Sequence, residues 1–434
     1  MVTKRERRAL NALVDICEME QERNYASMSK FFDDLFIAFH NFKDTIIPTH
    51  IESNYKGIHL NEKYQESDFN RLVDQFYNNQ MLHAKYSLQI LRDALKYHKK
   101  FTNVSTCDLS KSSLSDCIIV GDLHGSFKDL YYLIQKFGTP GKNYRFIFNG
   151  DFVDRGPQQC EVLLTILYAF LLYPNRIFLN RGNHEDLSLN LNQNFAPNFQ
   201  TDCFLKFGRY GREFFRQSQE LFKYLPIATI LSNKVGYRAF VIHGGISNRT
   251  DLQYIAGDEL KRYEFNSVTV KKYDDSNKQK SVEQLSDLMW SDPIRKKAIN
   301  NKTPYIGCYK NTKRGMGWLF GEDTSQHFCK KYGFNTIVRS HEVRDQGWSR
   351  DQQNCFTVFS SSNYCHGTNR AAVFILNQNN KYLEYHMFKT EYTESGSFQK
   401  HKEHLISTFK SYLNREYSLL IKKFEILDPK KTGL

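Results

Sequence analysis

The sequence predicts an α/β protein in which a parallel β-α-β-α-β unit is followed by a mixed second sheet. Three observations predict it. Short apolar runs end at glycine turns, as buried strands do. Segments with helical spacing lie between those runs. The turns that close the runs carry aspartate, asparagine, histidine and arginine, and recur about every thirty residues. In an open α/β sheet the carboxyl ends of the strands are where sites are built.

Residues 1–60 read as a helical N-terminal extension. Leu10, Leu13, Val14 and Cys17 follow helical spacing, as do Phe31, Phe32, Leu35, Phe36 and Phe39. The first predicted strand, residues 117–120, ends in Gly121-Asp122-Leu123-His124-Gly125. A helix is predicted over residues 127–137 and a second strand over 144–148, closed by Gly150-Asp151-Phe152-Val153-Asp154-Arg155-Gly156. The next helix, residues 160–172, contains most of the longest apolar stretch, which is too short to span a bilayer. A third strand, 176–179, precedes Gly182-Asn183-His184-Glu185. This order implies right-handed crossovers between parallel strands.

Later apolar runs at 239–242, 336–338, 355–359 and 371–376 predict further strands. The first three are followed by His243-Gly244-Gly245, Arg339-Ser340-His341 and Ser362-Asn363-Tyr364. No long helix separates the last two, which predicts a mixed second sheet. Residues 261–281 are polar, Lys-rich and Asp-rich, and read as an exposed or disordered insertion. Residues 396–434 return to a basic helical pattern.

Composition narrows the class. The chain has 434 residues, 40% hydrophobic and 25% charged, as in soluble globular proteins. Its formal net charge of +13 is spread along the chain with extra density at both ends, which reads as solvated surface. No nucleic-acid module pattern is present, so no nucleic-acid partner is expected. Nine cysteines without a CxxC pair point to reduced thiols in a cytoplasmic or nuclear setting. No secretory signal or transmembrane segment is expected.

The turns can carry phosphate-ester chemistry. Such hydrolysis needs a nucleophile at neutral pH, positive charge on the phosphoryl oxygens and a proton for the leaving alkoxide. Asp122 and His124, two residues apart on a turn, can converge on one ion. Asp151 at the next strand end is a natural bridge to a second. Asn183 offers that second ion a neutral oxygen, and His243 and His341 offer nitrogen. Mixed N/O ligation suits manganese, iron or zinc better than calcium. His184 is placed as a general acid, with Asp154 as the carboxylate that holds its tautomer. Arg155 and Arg314 would grip a phosphate bidentately.

These motifs, with Trp290-Ser291-Asp292-Pro293 and Asn311-Thr312-Lys313-Arg314-Gly315, resemble those of the phosphoprotein phosphatase (serine/threonine) family over about residues 60–395. The resemblance implies a calcineurin-like α/β/β/α sandwich of two mixed sheets with a dinuclear metal centre. Its catalytic domain would run over 61–395. It implies Asp122, His124 and Asp151 on the first metal, and Asp151, Asn183, His243 and His341 on the second. Arg155 and Arg314 match the phosphate clamp, His184 the proton donor and Asp154 its partner. Tyr364 matches the aromatic residue that overhangs the site. The implied reaction is in-line attack by metal-held hydroxide on phosphoserine or phosphothreonine proteins, with no phosphoenzyme. Two divalent ions are implied, manganese in vitro and iron, zinc or manganese in vivo. Ser361-Ser362 stands where the family often has Ser-Ala.

Within the family the chain is most similar to the EF-hand-containing, retinal-degeneration-C type branch. Leu225-Pro226-Ile227-Ala228-Thr229-Ile230 and Gly367-Thr368-Asn369-Arg370 carry that likeness. The C-terminal stretch resembles the start of an EF-hand, with Asp428 at loop position 1 and Thr432 at position 5. Lys430 sits at position 3, however, and the sequence ends at position 7, so calcium binding is not expected. The basic helix from Arg5 to Arg8 onward is a candidate calmodulin target. Two other readings stay open: another metallophosphoesterase, and a non-catalytic phosphoprotein-binding or calcium-linked scaffold.

Overall fold

A computed structural model describes residues 47–48, 50–111, 114–195, 197–269, 272–295 and 306–391. The predicted N-terminal helices, the candidate calmodulin target and the basic tail with its EF-hand-like start lie outside these residues. Within the predicted helical extension, residues 50–60 carry no helix. They run along the domain surface, where Ile58 and Leu60 pack against its core.

The strands are β1 (Val104–Asp108), β2 (Asp116–Val120), β3 (Arg145–Phe148), β4 (Ile177–Leu179), β5 (Ala228–Ser232), β6 (Arg238–Ile242), β7 (Asp292–Pro293), β8 (Cys308–Lys310), β9 (Trp318–Phe320), β10 (Thr336–Arg339), β11 (Trp348–Gln352), β12 (Cys355–Val358), β13 (Ala371–Asn377) and β14 (Glu384–Phe388). The longer helices are α1 (Glu66–Tyr77), α2 (Ala84–His98), α3 (Phe127–Phe137), α4 (Gln159–Leu172), α5 (Phe199–Phe207), α6 (Gly211–Tyr224), α7 (Ser276–Trp290) and α8 (Glu322–Tyr332).

Two mixed sheets form the body. The first has order β14-β13-β2-β3-β4, with β2, β3 and β4 parallel as predicted. The second has order β1-β5-β6-β10-β12-β11, with β6, β10 and β12 parallel. One expectation is corrected: β13 does not follow β12 into the second sheet. It crosses back and pairs antiparallel with β2. Its apolar residues alternate between the helix-covered face (Ala371, Val373) and the inter-sheet face (Phe374, Leu376), so a central position in the first sheet buries both sides.

The same period of two builds the layers. Ile118 and Val120 of β2 face the helices, while Cys117 and Ile119 face the other sheet. In β6, Ala239 and Val241 point into the inter-sheet core, and Phe240 and Ile242 point outward beneath α7 and α8. Six helices, α1 to α6, cover the first sheet. The result is the implied α/β/β/α sandwich. Helix α4 is apolar all round because it is buried all round.

The expected exposed insertion is also corrected in part. Arg262, Phe265 and Val268 are buried, and α7 starts at Ser276, capped by Asp275. The Arg262 guanidinium donates to the carbonyls of Tyr224, Leu225 and Phe101 and to Asn103 Oδ1. A polar, Lys-rich composition concealed one arginine whose donors all find backbone or amide oxygen. Residues 270–271 lie outside the described set.

Candidate metal centre

Six loops at strand ends converge. From the first sheet, the turn after β2 brings Asp122 and His124, the turn after β3 brings Asp151, Asp154 and Arg155, and the turn after β4 brings Asn183 and His184. From the second, β6 ends at His243, β10 at His341, and the loop after β12 carries Tyr364. The backbone is bent to achieve this. His124, Asp151, Asp154, Arg155 and His341 all have positive φ, between 44° and 73°. Non-glycine residues rarely hold this conformation, and it costs on the order of 1–3 kcal/mol each where it occurs. Gly182 permits a close approach to the shared carboxylate: a Cβ there would meet Asp151 Oδ1 at 2.3 Å and Asp151 N at 2.4 Å.

The structure brings every predicted ligand into one buried cluster. Asp151 is shared. Its Oδ2 lies 3.4 Å from His124 Nε2 and its Oδ1 lies 3.3 Å from His243 Nε2. Asp122 Oδ2 lies 3.7 Å from His124 Nε2. Asn183 Oδ1 is 2.8 Å from His243 Nε2. Ligand atoms of Asp151, His243 and His341 all fall within 4.8 Å of one another, and so do those of His124, Asp151 and His184.

The donor set fits divalent cations. His124 Nδ1 donates to the Val153 carbonyl and His243 Nδ1 to the Asn149 carbonyl, so both turn Nε2 toward the cluster. His243 Nε2 faces two oxygens that can only accept, and a cation there does what a second imidazole proton would otherwise do. Asp122 Oδ2 and His341 Nε2 are buried, and neither has a hydrogen-bond partner among the described residues. Orphaned buried donors and acceptors of this kind are what ligation would satisfy.

The electrostatics of the protein alone agree. Burial, with the Asp151 charge, pushes the Asp122 carboxyl up to about 7. Burial opposes charging His243, but Asp151 and Asp122 outweigh it and lift the imidazole to about 9. Burial holds His124 down at about 3. Burial, with Arg314 nearby, holds His341 well below the usual range. Burial works against the Asp151 carboxylate too, yet His243 and His184 pull it well below the ordinary value.

His184 sits beside this cluster with a different environment. Its Nδ1 is 2.7 Å from Asp154 Oδ2, and its backbone N–H donates to Asp151 Oδ1 at 2.9 Å. Burial lowers its affinity for a proton, but Asp151 and Asp154 together raise it above the ordinary value. This imidazole is therefore built to carry a proton next to the ligand cluster.

Two guanidiniums flank the site. Arg155 lies 4.6 Å from the Phe195 ring centre and 5.7 Å from that of Tyr364. Arg314 donates Nε to Asp292 Oδ2 at 2.5 Å and Nη2 to Asp292 Oδ1 at 3.2 Å. Tyr364 stacks over His124 at 5.1 Å.

Sequence reasoning left several supporting residues without a role. Glu185 accepts from the backbone N–H groups of Asp151, Phe152 and Gly182, each at 2.8 Å, and so ties two ligand turns together. Asp292 anchors Arg314 and Arg339. Asn190 donates to Asp154 and to the His184 carbonyl, Gln219 donates to Asn190, and the Phe195 ring packs against His184 and under Arg155. Glu185 and Asp292 lay inside quoted motifs. The others carry no periodic or spacing signal.

Comparison with known proteins agrees with this geometry. Residues 117–345 match the calcineurin-like phosphoesterase family. The chain is 32% identical to the rat serine/threonine-protein phosphatase with EF-hands 1 over 94% of its length, and 31% identical to the Drosophila melanogaster serine/threonine-protein phosphatase rdgC over 83%. It spans 64% and 55% of those relatives' own lengths. A solved protein serine/threonine phosphatase from Saccharomyces cerevisiae, described as similar to human phosphatase PP5, superposes with a TM-score of 0.62 at 26% identity. That match covers 76% of this chain and 98% of the yeast one. Among the described residues no helix is long and apolar enough to cross a membrane.

Proposed function

Because the chain belongs to the calcineurin-like phosphoesterase family, we propose that it is a divalent-metal-dependent phosphatase of phosphoserine and phosphothreonine proteins. The observation that carries the reading is the His184–Asp154 pair, 2.7 Å apart, set against the Asp151 cluster and flanked by two guanidiniums. A bare structural metal site needs no proton donor and no anion clamp. Similarity to proteins named serine/threonine phosphatases supports the substrate class.

Asp122, His124 and Asp151 would hold one cation, and Asp151, Asn183, His243 and His341 a second. Bound there, the cations supply Lewis acidity and an acidified water. The rest falls to the protein's own side chains. Arg155 and Arg314 bind the phosphoryl oxygens and orient the ester, and their charge matches the charge that grows on those oxygens. The Arg314 fork is held in place by Asp292, so little conformational freedom is lost on binding. His184 gives the leaving alkoxide its proton from Nε2, while Asp154 fixes the Nδ1 proton. Tyr364, over His124, narrows the opening and limits water.

Manganese suits the N/O donor set and is the metal of choice in vitro, with iron or zinc equally compatible. The described cysteines are all free thiols, which supports a cytoplasmic or nuclear setting. Calmodulin is a candidate partner through the basic stretch Arg5 to Arg8 and the segment that follows it, to be tested by calcium-dependent capture of the full chain.

The test is phosphate release from a phosphothreonine peptide by manganese-loaded protein, wild type beside His184→Asn. Turnover in the wild type that is largely lost in the variant supports both the reaction and the acid. A wild type that binds the phosphopeptide without turnover points to a scaffold. Faster cleavage of a phosphodiester points to another metallophosphoesterase activity.

A further inference from the structure

Asp154 accepts more than the His184 contact. Its Oδ1 accepts the Phe199 backbone N–H at 2.7 Å, and its Oδ2 accepts Asn190 Nδ2 at 2.9 Å. The same Asn190 nitrogen donates to the His184 backbone carbonyl at 2.8 Å. Both acceptors lack protons, so this end of the Asn190 amide must be NH2 and the other end oxygen. That oxygen accepts from Gln219 Nε2 at 2.6 Å. Asn190 ends the short helix Leu187–Asn190, only six residues after His184, whereas Gln219 comes from the middle of α6. Both side chains are buried.

We infer that Asn190 and Gln219 are positioning residues for proton transfer to the leaving group. This rests on the reading of His184 as the acid. Each Asn190 proton fixes one coordinate of the pair. One holds Asp154 Oδ2, which sets the carboxylate plane facing His184 Nδ1. The other holds the His184 main chain, which sets where the ring starts. Gln219 stops the Asn190 amide from flipping, since a flipped amide would turn oxygen toward a carboxylate and a carbonyl. Helix α6 thereby anchors the acid in the first sheet's helix layer. Neither residue touches the metal ligands' donor atoms or faces the clamp, so their effect is confined to the protonation step.

That confinement separates the inference from a structural role. An alkoxide such as that of threonine leaves only with a proton, whereas nitrophenolate leaves without one. Asn190→Ala and Gln219→Leu should therefore lower kcat on a phosphothreonine peptide by about tenfold, a fraction of the usual worth of a general acid, and kcat on p-nitrophenyl phosphate by less than about twofold. Asn190→Asp, which replaces a donor by an acceptor against Asp154, should be worse on the peptide than Asn190→Ala. KM for the peptide should stay constant in all three. All variants are to be assayed with manganese once a thermal melt of a separate sample has shown them folded, and Gln219→Leu, distant from the cluster, decides the matter where an Asn190 variant does not fold. Equal losses on both substrates, or a rise in KM with kcat unchanged, would overturn the inference. A wild type silent on both substrates removes the phosphatase reading itself, and the inference with it.

Discussion

Gly182→Ala isolates how the cluster depends on backbone proximity. The added methyl would lie 2.3 Å from Asp151 Oδ1, 2.4 Å from Asp151 N and 2.8 Å from Glu185 Oε2, where an ordinary contact needs at least 3.4 Å. The Asp151 carboxylate and its main chain must therefore retreat by about 1 Å, and neither is a flexible chain end. Asp151 is the residue shared between His124 at 3.4 Å and His243 at 3.3 Å, so one displacement disturbs both halves of the site. Overpacking of this kind costs on the order of 1–3 kcal/mol, which at about 2.1 cal/mol/K of unfolding entropy per residue lowers the Tm of a 434-residue chain by roughly 1–4 °C. Misplacing a shared ligand should weaken manganese binding by about 10–100-fold, and phosphatase turnover by a similar factor. The assay is calorimetric titration of chelator-stripped protein with manganese, paired with phosphate release. Gly236→Ala is the control. It has open space around the new methyl but a φ of +78°, so it should cost stability and leave metal affinity and turnover unchanged. Wild-type manganese affinity and turnover in Gly182→Ala would refute the argument that this close approach sets the position of Asp151.

The remaining predictions follow from the groups around that position. Asp292→Asn removes the charge that holds Arg314, and kcat/KM for a phosphopeptide should fall about tenfold while manganese affinity stays unchanged in calorimetry. In chelator-stripped protein the Asp122 carboxyl, raised to about 7 from 3.8, makes its contribution to stability below about pH 4 and loses it as pH rises toward 7. Adding manganese near pH 6 should therefore release protons, seen as a buffer-dependent heat in calorimetry, and this release should diminish in Asp122→Asn. Arg262→Met strips donors from the carbonyls of Tyr224, Leu225 and Phe101 and should cost roughly 3–5 kcal/mol in chemical denaturation.

The parts of the fold legible in the sequence are those where one rule dominates. Strands β2, β3, β6, β10 and β12 are short and apolar because they are interior to their sheets and covered on both sides; β4, at the edge of the first sheet, is apolar as well, and each could be read from its run alone. Their terminal turns showed the ligands because metal chemistry restricts residue type and parallel topology restricts place. The partner of β13 could not be read. Its pattern suits a buried strand in either sheet, and only the packed structure decides between them. Strands β11 and β14 escaped notice because edge position leaves Trp348-Ser349-Arg350 and Glu384-Tyr385 partly or fully exposed and breaks the apolar run. Asn190 and Gln219 were hidden for another reason. A buried amide acts through geometry, and nothing in its spacing distinguishes it from a surface amide.

The two halves of the site belong to different sheets, and this explains the polar seam beneath it. Asp122, His124, Asp151, Asn183 and His184 hang from the first sheet, while His243 and His341 hang from the second. An apolar inter-sheet core, with Ile119 and Ile147 against Val241 and Val338, sets the separation of the sheets but not their slide. Hydrogen bonds are directional and can set the slide. Asn149 at the end of β3 donates to the Ile242 carbonyl and to Ser340 Oγ, both on the second sheet. Asn180 at the end of β4 donates to Asn149 and to the Val241 carbonyl, and accepts from Thr229. Gly121 N donates to Ser360 Oγ, and Ser360 Oγ to the Ala372 carbonyl. Each of these buried groups has a partner only in one register of the two sheets. A slip of one residue would strand several of them at about 1–3 kcal/mol apiece and would separate His243 from Asp151. The seam therefore turns the non-directional packing of two sheets into the sub-ångström placement that a shared carboxylate requires.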